Sequence, residues 1–296
     1  MVERLIDAHC LVGTDHWLSR NKPELAHQNM LRQYGAAAAA LANSFRSFIM
    51  PFPSSENGSF IRENEIVLQL NEQFDWAEPI LAFNYRSQEN FDAICRALDR
   101  GLAKGLVVWP IVCDLDLEDL AADQRFHYLI SNFPCWFTIH VGAGNEAAIR
   151  RVKKLNRYCP EDAVRLAAAF PKVKFNLSHL LRISSQALFD AESLENIIID
   201  ISGIHSHHRW YECGKNVFPA ADAGELAELD SVQVINRLMN RPNLCNKLVF
   251  GTQYPFSEWY GLNLQKELAL IENGDLTTEQ LDMLLYRNFE EFFAER

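Results

Sequence analysis

Ile197-Ile198-Ile199-Asp200-Ile201-Ser202-Gly203 is the stretch on which the fold turns. Its first three residues are apolar and β-branched at successive positions, so neither face of the strand they predict is polar. A strand with one wet face would alternate. A continuous apolar run instead fits a parallel strand covered by helices on one side and by a packed barrel interior on the other. Polarity returns only at the C-terminal end, where an α/β barrel carries its site.

Outward from this stretch the same pattern recurs. Short apolar runs predict strands near Leu5–His9, Ser47–Phe52, Ile80–Asn84, Gly105–Pro110, Trp136–Val141, Val173–His179, Ile197–Ser202 and Lys247–Gly251, and segments of helical periodicity lie between them. The last helix, Thr278–Phe293, opens at a capping box, Thr277-Thr278-Glu279-Gln280. No Pro-, Gly- or Ser-rich linker divides the chain. The expected fold is therefore a (β/α)8 TIM barrel, one domain over residues 1–296. An open doubly wound sheet is disfavoured, because no Gly-rich phosphate turn follows the first strand.

Composition narrows the function classes. The 296 residues are 48% hydrophobic and 23% charged, with a formal net charge of -11. Such a surface repels phosphate backbones, so nucleic acid is not an expected partner. No apolar run reaches the length of a membrane span, and Met1-Val2-Glu3-Arg4 leads straight into a strand rather than a signal peptide. A soluble cytoplasmic protein acting on a small molecule is the expectation, with homo-oligomerisation left open. The seven cysteines are scattered and never paired as CxxC, which reads as reduced thiols.

Candidate chemistry sits where strands end: Ile6-Asp7-Ala8-His9-Cys10-Leu11, Phe137-Thr138-Ile139-His140-Val141-Gly142, Phe175-Asn176-Leu177-Ser178-His179-Leu180, and Phe250-Gly251-Thr252-Gln253-Tyr254-Pro255-Phe256. With Ile-Asp-Ala-His-x-x-x-Gly at 6–13, His140 before a glycine, Ser178-His179-Leu180 and the run 250–256, the sequence resembles the amidohydrolase superfamily. The nearer branch is the one that includes metal-dependent decarboxylases and lactonases, and the likeness runs from Ile6 to Tyr286-Arg287-Asn288-Phe289. The resemblance implies that His9 and His140 are metal ligands and that His179 is a ligand or a catalytic residue. Neutral imidazoles converging from separate strands can bind a divalent cation, which then acidifies water or polarises a substrate.

Three departures from that pattern carry chemical weight. Leu11 replaces the second histidine of the first-strand pair, and a hydrocarbon cannot coordinate. Gln253 replaces an aspartate that touches metal and moves the proton; a neutral amide is a poor ligand and no base. Val107 stands where binuclear members carry a bridging lysine. At most one weakly bound divalent ion is expected, zinc first among candidates, or none.

Other residues are weighed against structural roles. Asp200 is a candidate acid or base, or else a buried carboxylate bonded to a loop. Asp7 is expected to share the inward direction of His9, to lie deeper and to orient neighbours. Arg182 suits a substrate carboxylate, or else lies on a helix start. Trp109 is a candidate pocket wall. His205 and His207, in the run Ile204-His205-Ser206-His207-His208, are candidate substrate-binding residues on a loop over the mouth, or simply a solvated loop. Two functions follow as expectations: a hydrolase, lactonase or decarboxylase acting on a small carboxylated substrate, or a catalytically inactive barrel serving as a ligand-binding or partner subunit.

Overall fold

The computed structural model describes residues 2–12, 27–52, 58–113, 115–141, 160–205, 222–259 and 261–294. Within them eight parallel strands follow chain order around one sheet: β1 (Val2–Val12), β2 (Ala42–Pro51), β3 (Ala77–Ala82), β4 (Gly105–Val108), β5 (Trp136–Ile139), β6 (Phe175–Leu177), β7 (Ile197–Asp200) and β8 (Leu248–Val249). Helices alternate with the strands, including α1 (His27–Leu41), α2 (Ile61–Gln73), α3 (Gln88–Asp99), α4 (Leu117–Ala122), α5 (Gln124–Asn132), α6 (Pro160–Ala169), α7 (Ser185–Ala191), α8 (Ser231–Met239) and α9 (Leu264–Glu272). All eight expected strands are present. Their bounds move, most of all at β1, which is longer than expected, and at β8, which is only two residues. The fold is a nearly closed (β/α)8 barrel.

The ring closes between β8 and β1 by a few bonds instead of a regular ladder. Ala8 donates its amide to the Phe250 carbonyl at 2.9 Å, Gln253 to that of His9 at 2.8 Å, and Leu11 to that of Tyr254 at 2.7 Å. Asp7 staples the same seam: its carboxylate accepts from the Thr252 amide (3.0 Å) and hydroxyl (2.9 Å), and from Tyr34 of α1 (2.6 Å).

That position corrects the expected direction of Asp7. The β1–β2 register slips between Asp7 and Cys10, so that Asp7 pairs with Ser47 but Cys10 with Ile49. Two residues, Ala8 and His9, thus oppose the single Phe48, and such a bulge reverses the in–out alternation. Before it, Ile6 and Ala8 join the apolar barrel interior and Asp7 faces α1; after it, His9 and Leu11 face inward.

Two apolar layers result. One lies between strands and helices; the other fills the barrel, with Ile6, Ala8, Phe48, Ile80, Val107 and Val249 among its members. The expected last helix is continuous in space but begins with an α turn at Thr278–Asp282, widens to a π turn over Met283–Arg287 and ends as Asn288–Phe293. Its Thr277/Gln280 capping box is formed as expected. Phe289 and Phe293 stop the N-terminal end of the barrel, packing on Phe48 (4.6 Å between centroids) and Trp136 (4.7 Å) respectively.

Candidate active site

Register sorts the barrel interior into two flanks. Val107, Thr138, Asn176 and Ile198 are successive partners across β4 to β7, and two residues onward on the same face come Trp109, His140, Ser178 and Asp200. The β1–β4 flank is apolar: Leu11, Met50, Ala82, Val107 and Trp109 are all buried there. The β5–β7 flank is polar, carrying Thr138, His140, Asn176, Ser178, Asp200 and Ser202, every one buried.

Three imidazoles meet between the flanks. His9 from β1, His140 following β5 and His179 following β6 each offer a ligand atom, and these lie within 4.8 Å of one another. The hydrogen bonds fix which nitrogens face the cluster. His9 Nδ1 meets Asp200 Oδ2 at 3.2 Å, and an ionised carboxylate only accepts, so Nδ1 carries the proton. His9 Nε2 is thereby left as the bare lone pair, buried and without a hydrogen-bond partner among the described residues. His179 Nδ1 donates to the Ser202 carbonyl at 2.9 Å, so in the neutral ring its Nε2 accepts, and His140 Nε2, 2.8 Å away, donates to it. The Trp109 ring lies against His140 with centroids 4.2 Å apart.

Asp200 organises this arrangement. It is fully buried, and its oxygens accept from His9 Nδ1, from Asn176 Nδ2 (2.9 Å), from the amides of His179 and Ser202 (3.1 Å each) and from the Ser202 hydroxyl. Burial pushes its carboxyl up, but the electrostatic pull of the His9 ring and its Nδ1 hydrogen bond, the pull of the neighbouring His179 ring and the Ser202 hydroxyl together hold it well below the usual carboxylate range. Asp7 shows the opposite balance: burial raises it and outweighs the bonds from Tyr34, His9 and Thr252. Gly251 leaves the room that His9 needs, since a Cβ there would stand 3.1 Å from the Cβ atoms of both His9 and Ser202.

His179 begins a tight turn in which five successive non-glycine residues, His179 to Ile183, take φ of 49 to 57°. Left-handed backbone costs L-residues roughly 1–2 kcal/mol each. The turn uses i to i+3 hydrogen bonds, Leu181 to Ser178 and Ser184 to Leu181, so three residues make about one revolution and Arg182 returns to the side of His179. Arg182 is half-buried; burial draws its guanidinium pKa down while the Glu161 carboxylate opposes that.

The other expected site residues fall as follows. Gln253 is buried at the seam with φ of 57°. Leu11 and Val107 belong to the apolar interior, in keeping with their inability to coordinate. His205 is buried but stands outside the three-ring cluster, its Nδ1 2.6 Å from the Ser231 hydroxyl at the start of α8. His207 lies outside the described residues. Asn176 and Ser202, which hold Asp200, are the functional candidates that sequence reading passed over; the inward parity of Asn176 was the available signal.

No family model matches the sequence, and no curated protein matches it. Solved structures do. A probable 2-pyrone-4,6-dicarboxylic acid hydrolase from Acinetobacter baumannii is 14% identical, with a TM-score of 0.61 and coverage of 98% of this chain and 99% of that one. An uncharacterised TIM-barrel protein from Bordetella bronchiseptica is 16% identical, with a TM-score of 0.62 and 98% of each chain covered. Dihydroorotase from Saccharomyces cerevisiae is 14% identical, with a TM-score of 0.62 over 100% of this chain and 84% of that one. The likeness is one of fold: this chain shares the (β/α)8 barrel of these structures, and it carries a cluster of three histidines that could hold a metal ion.

Proposed function

We propose that the chain is an amidohydrolase-like hydrolase, with lactonase and decarboxylase chemistry within reach of the same site, acting on a small carboxylated molecule at the C-terminal mouth of the barrel. The observation that carries this reading is the meeting of His9, His140 and His179, all buried, with ligand atoms within 4.8 Å of one another. The similar structures support the substrate class: one is a probable dicarboxylic acid hydrolase with citric acid bound, and another is a dihydroorotase in complex with 5-fluoroorotic acid.

The three rings fit at most one divalent ion, with the bare Nε2 of His9 the readiest ligand. Zinc suits neutral imidazoles, and when bound it would supply Lewis-acid polarisation of a substrate carbonyl. Asp200 would act through His9, fixing its tautomer and aim, because its oxygens already accept five hydrogen bonds. His179 would move a proton at Nε2, the atom it shares with His140. Arg182 would take the substrate carboxylate. Trp109 and Gln253 would line the pocket, with His205 and His207 contributing from the loop after β7.

The test is turnover of a panel of small lactone and cyclic-amide carboxylates, together with metal analysis of protein purified without chelator. His140→Ala and His179→Ala should each abolish turnover, with one ion per chain or fewer in the parent. Gln253→Asp, which restores a carboxylate at the seam, should raise metal content and turnover together. Unchanged turnover in both alanine variants would defeat the assignment. The second reading, a ligand-binding or partner subunit without turnover, draws on Leu11 and Val107, which add hydrocarbon where ligands are needed. Calorimetric binding of a panel member with no turnover would select it.

A further inference from the structure

Around the boundary of the two flanks, from β4 to β6, lie polar side-chain atoms to which the histidine cluster gives no hydrogen bond. Thr138 and Asn176 are register partners on β5 and β6, both facing inward and both fully buried. Ser178 stands two residues beyond Asn176 on the same face, and Trp109 two residues beyond the β4 partner of Thr138. Thr138 Oγ1, Asn176 Oδ1, Ser178 Oγ and Trp109 Nε1 are each closed off from solvent and without a hydrogen-bond partner among the described residues. Buried polar groups are almost always satisfied, by protein or by ordered water, so four such atoms on three adjacent strands call for a common partner.

The orientation of Asn176 is not ambiguous. Its amide nitrogen lies 2.9 Å from Asp200 Oδ2, a partner that only accepts, so Oδ1 must point the other way and needs a donor. Trp109 supplies one obligate donor, Asn176 one obligate acceptor, and the two hydroxyls serve either way. No formal charge is present among the four. An anion would meet the Asn176 oxygen and a cation the Trp109 N–H, whereas a molecule with two donors and two acceptors suits all four. Closure to solvent limits its size.

We propose that Thr138, Asn176, Ser178 and Trp109 form an internal binding site for water, set across β4 to β6 beside the histidine cluster. Bound there, water joins Thr138 to Asn176 and so extends the chain Asn176–Asp200–His9, steadying the residue that aims the His9 ring. The proposal does not depend on turnover or on a metal, so it stands or falls separately from the hydrolase reading.

The experiment is a crystal structure of the full chain at a resolution that shows ordered solvent, paired with oxygen-17 magnetic relaxation dispersion to count long-lived internal waters. The expected result is a water within hydrogen-bonding distance of both Asn176 Oδ1 and Thr138 Oγ1. Thr138→Val, nearly isosteric but without the hydroxyl, should lower the count by one, and Thr138→Ser should keep it. Direct pairing of Thr138 with Asn176 and no solvent between them overturns the proposal, as does an unchanged count in Thr138→Val. Should the valine variant fail to fold, the wild-type structure and the serine variant still decide the matter.

Discussion

At the scale of single residues, Asp200 does more to shape the site than any of the rings. Five donors converge on one buried carboxylate, and each hydrogen bond to a charged acceptor is worth about 1.5–3 kcal/mol. Asp200→Asn turns an amide NH2 toward groups that already donate, and should destabilise the protein by about 3 kcal/mol or more, read from denaturant midpoints. The His9 ring should also lose its fixed tautomer, which imidazole nitrogen-15 shifts would report. An unchanged midpoint would mean that the five-donor arrangement is not formed. The sequence made Asp200 suspicious through its place at a strand end, and the three histidines were legible for the same reason. What it concealed was direction: the bulge at Ala8 and His9 has no marker such as a glycine, so simple alternation put Asp7 and His9 on one face when they lie on opposite ones. The left-handed run from His179 to Ile183 was equally hidden, since all five residues have side chains that ordinarily avoid it.

At the scale of elements, α9 carries a carboxyl that nothing in the function requires. Glu267 is buried, its Oε1 has no hydrogen-bond partner among the described residues, and the Ser257 side chain hydrogen-bonds to the carboxyl. Burial, reinforced by the charge of Asp7 on β1, pushes it well above the usual 4.5. The folded chain therefore holds a proton that the unfolded chain releases. Stability from this group is intact below about 4.5 and declines as pH rises from there toward the folded-state value. Glu267→Gln, which cannot ionise, should raise stability at neutral pH and flatten its dependence above about pH 4.5, measured by urea unfolding at a series of pH values. The same slope in the variant would exclude Glu267 as its source. Helices were well legible as elements, because amphipathic spacing and caps are local; α8 keeps both parts of its Asp230/Gln233 capping box. Strand lengths were less so, since pairing partners set them: β8 holds only two residues because the seam beyond it is joined by isolated bonds.

At the scale of the whole molecule, the barrel sets an aromatic plug and the histidine cluster at opposite ends. Phe289 and Phe293 seal the end away from the histidines. Phe289→Ala should cost about 3–5 kcal/mol, as large aromatic truncations in cores do, while leaving metal content and ligand affinity of the folded protein as they were. Loss of affinity at temperatures where the variant is fully folded would show that the two ends are coupled. Among the described residues, no helix is long and apolar enough to cross a membrane. Fold class was legible because the βα rhythm repeats along the entire chain, whereas the partition of the barrel interior was not, because it emerges only when register sets Thr138 beside Asn176 and Val107 beside Thr138.

That partition has a stereochemical consequence. A barrel interior greasy along one arc and hydrogen-bonding along the other, with the His9 nitrogen at the edge between them and so off the plane that bisects both, has no mirror plane through its axis, and a guest with one oily and one thirsty edge would settle there only one way round. Two enantiomers, or the two faces of a prochiral guest, would present different atoms to the same imidazole nitrogen, so handedness would be selected by the wall before any bond is broken.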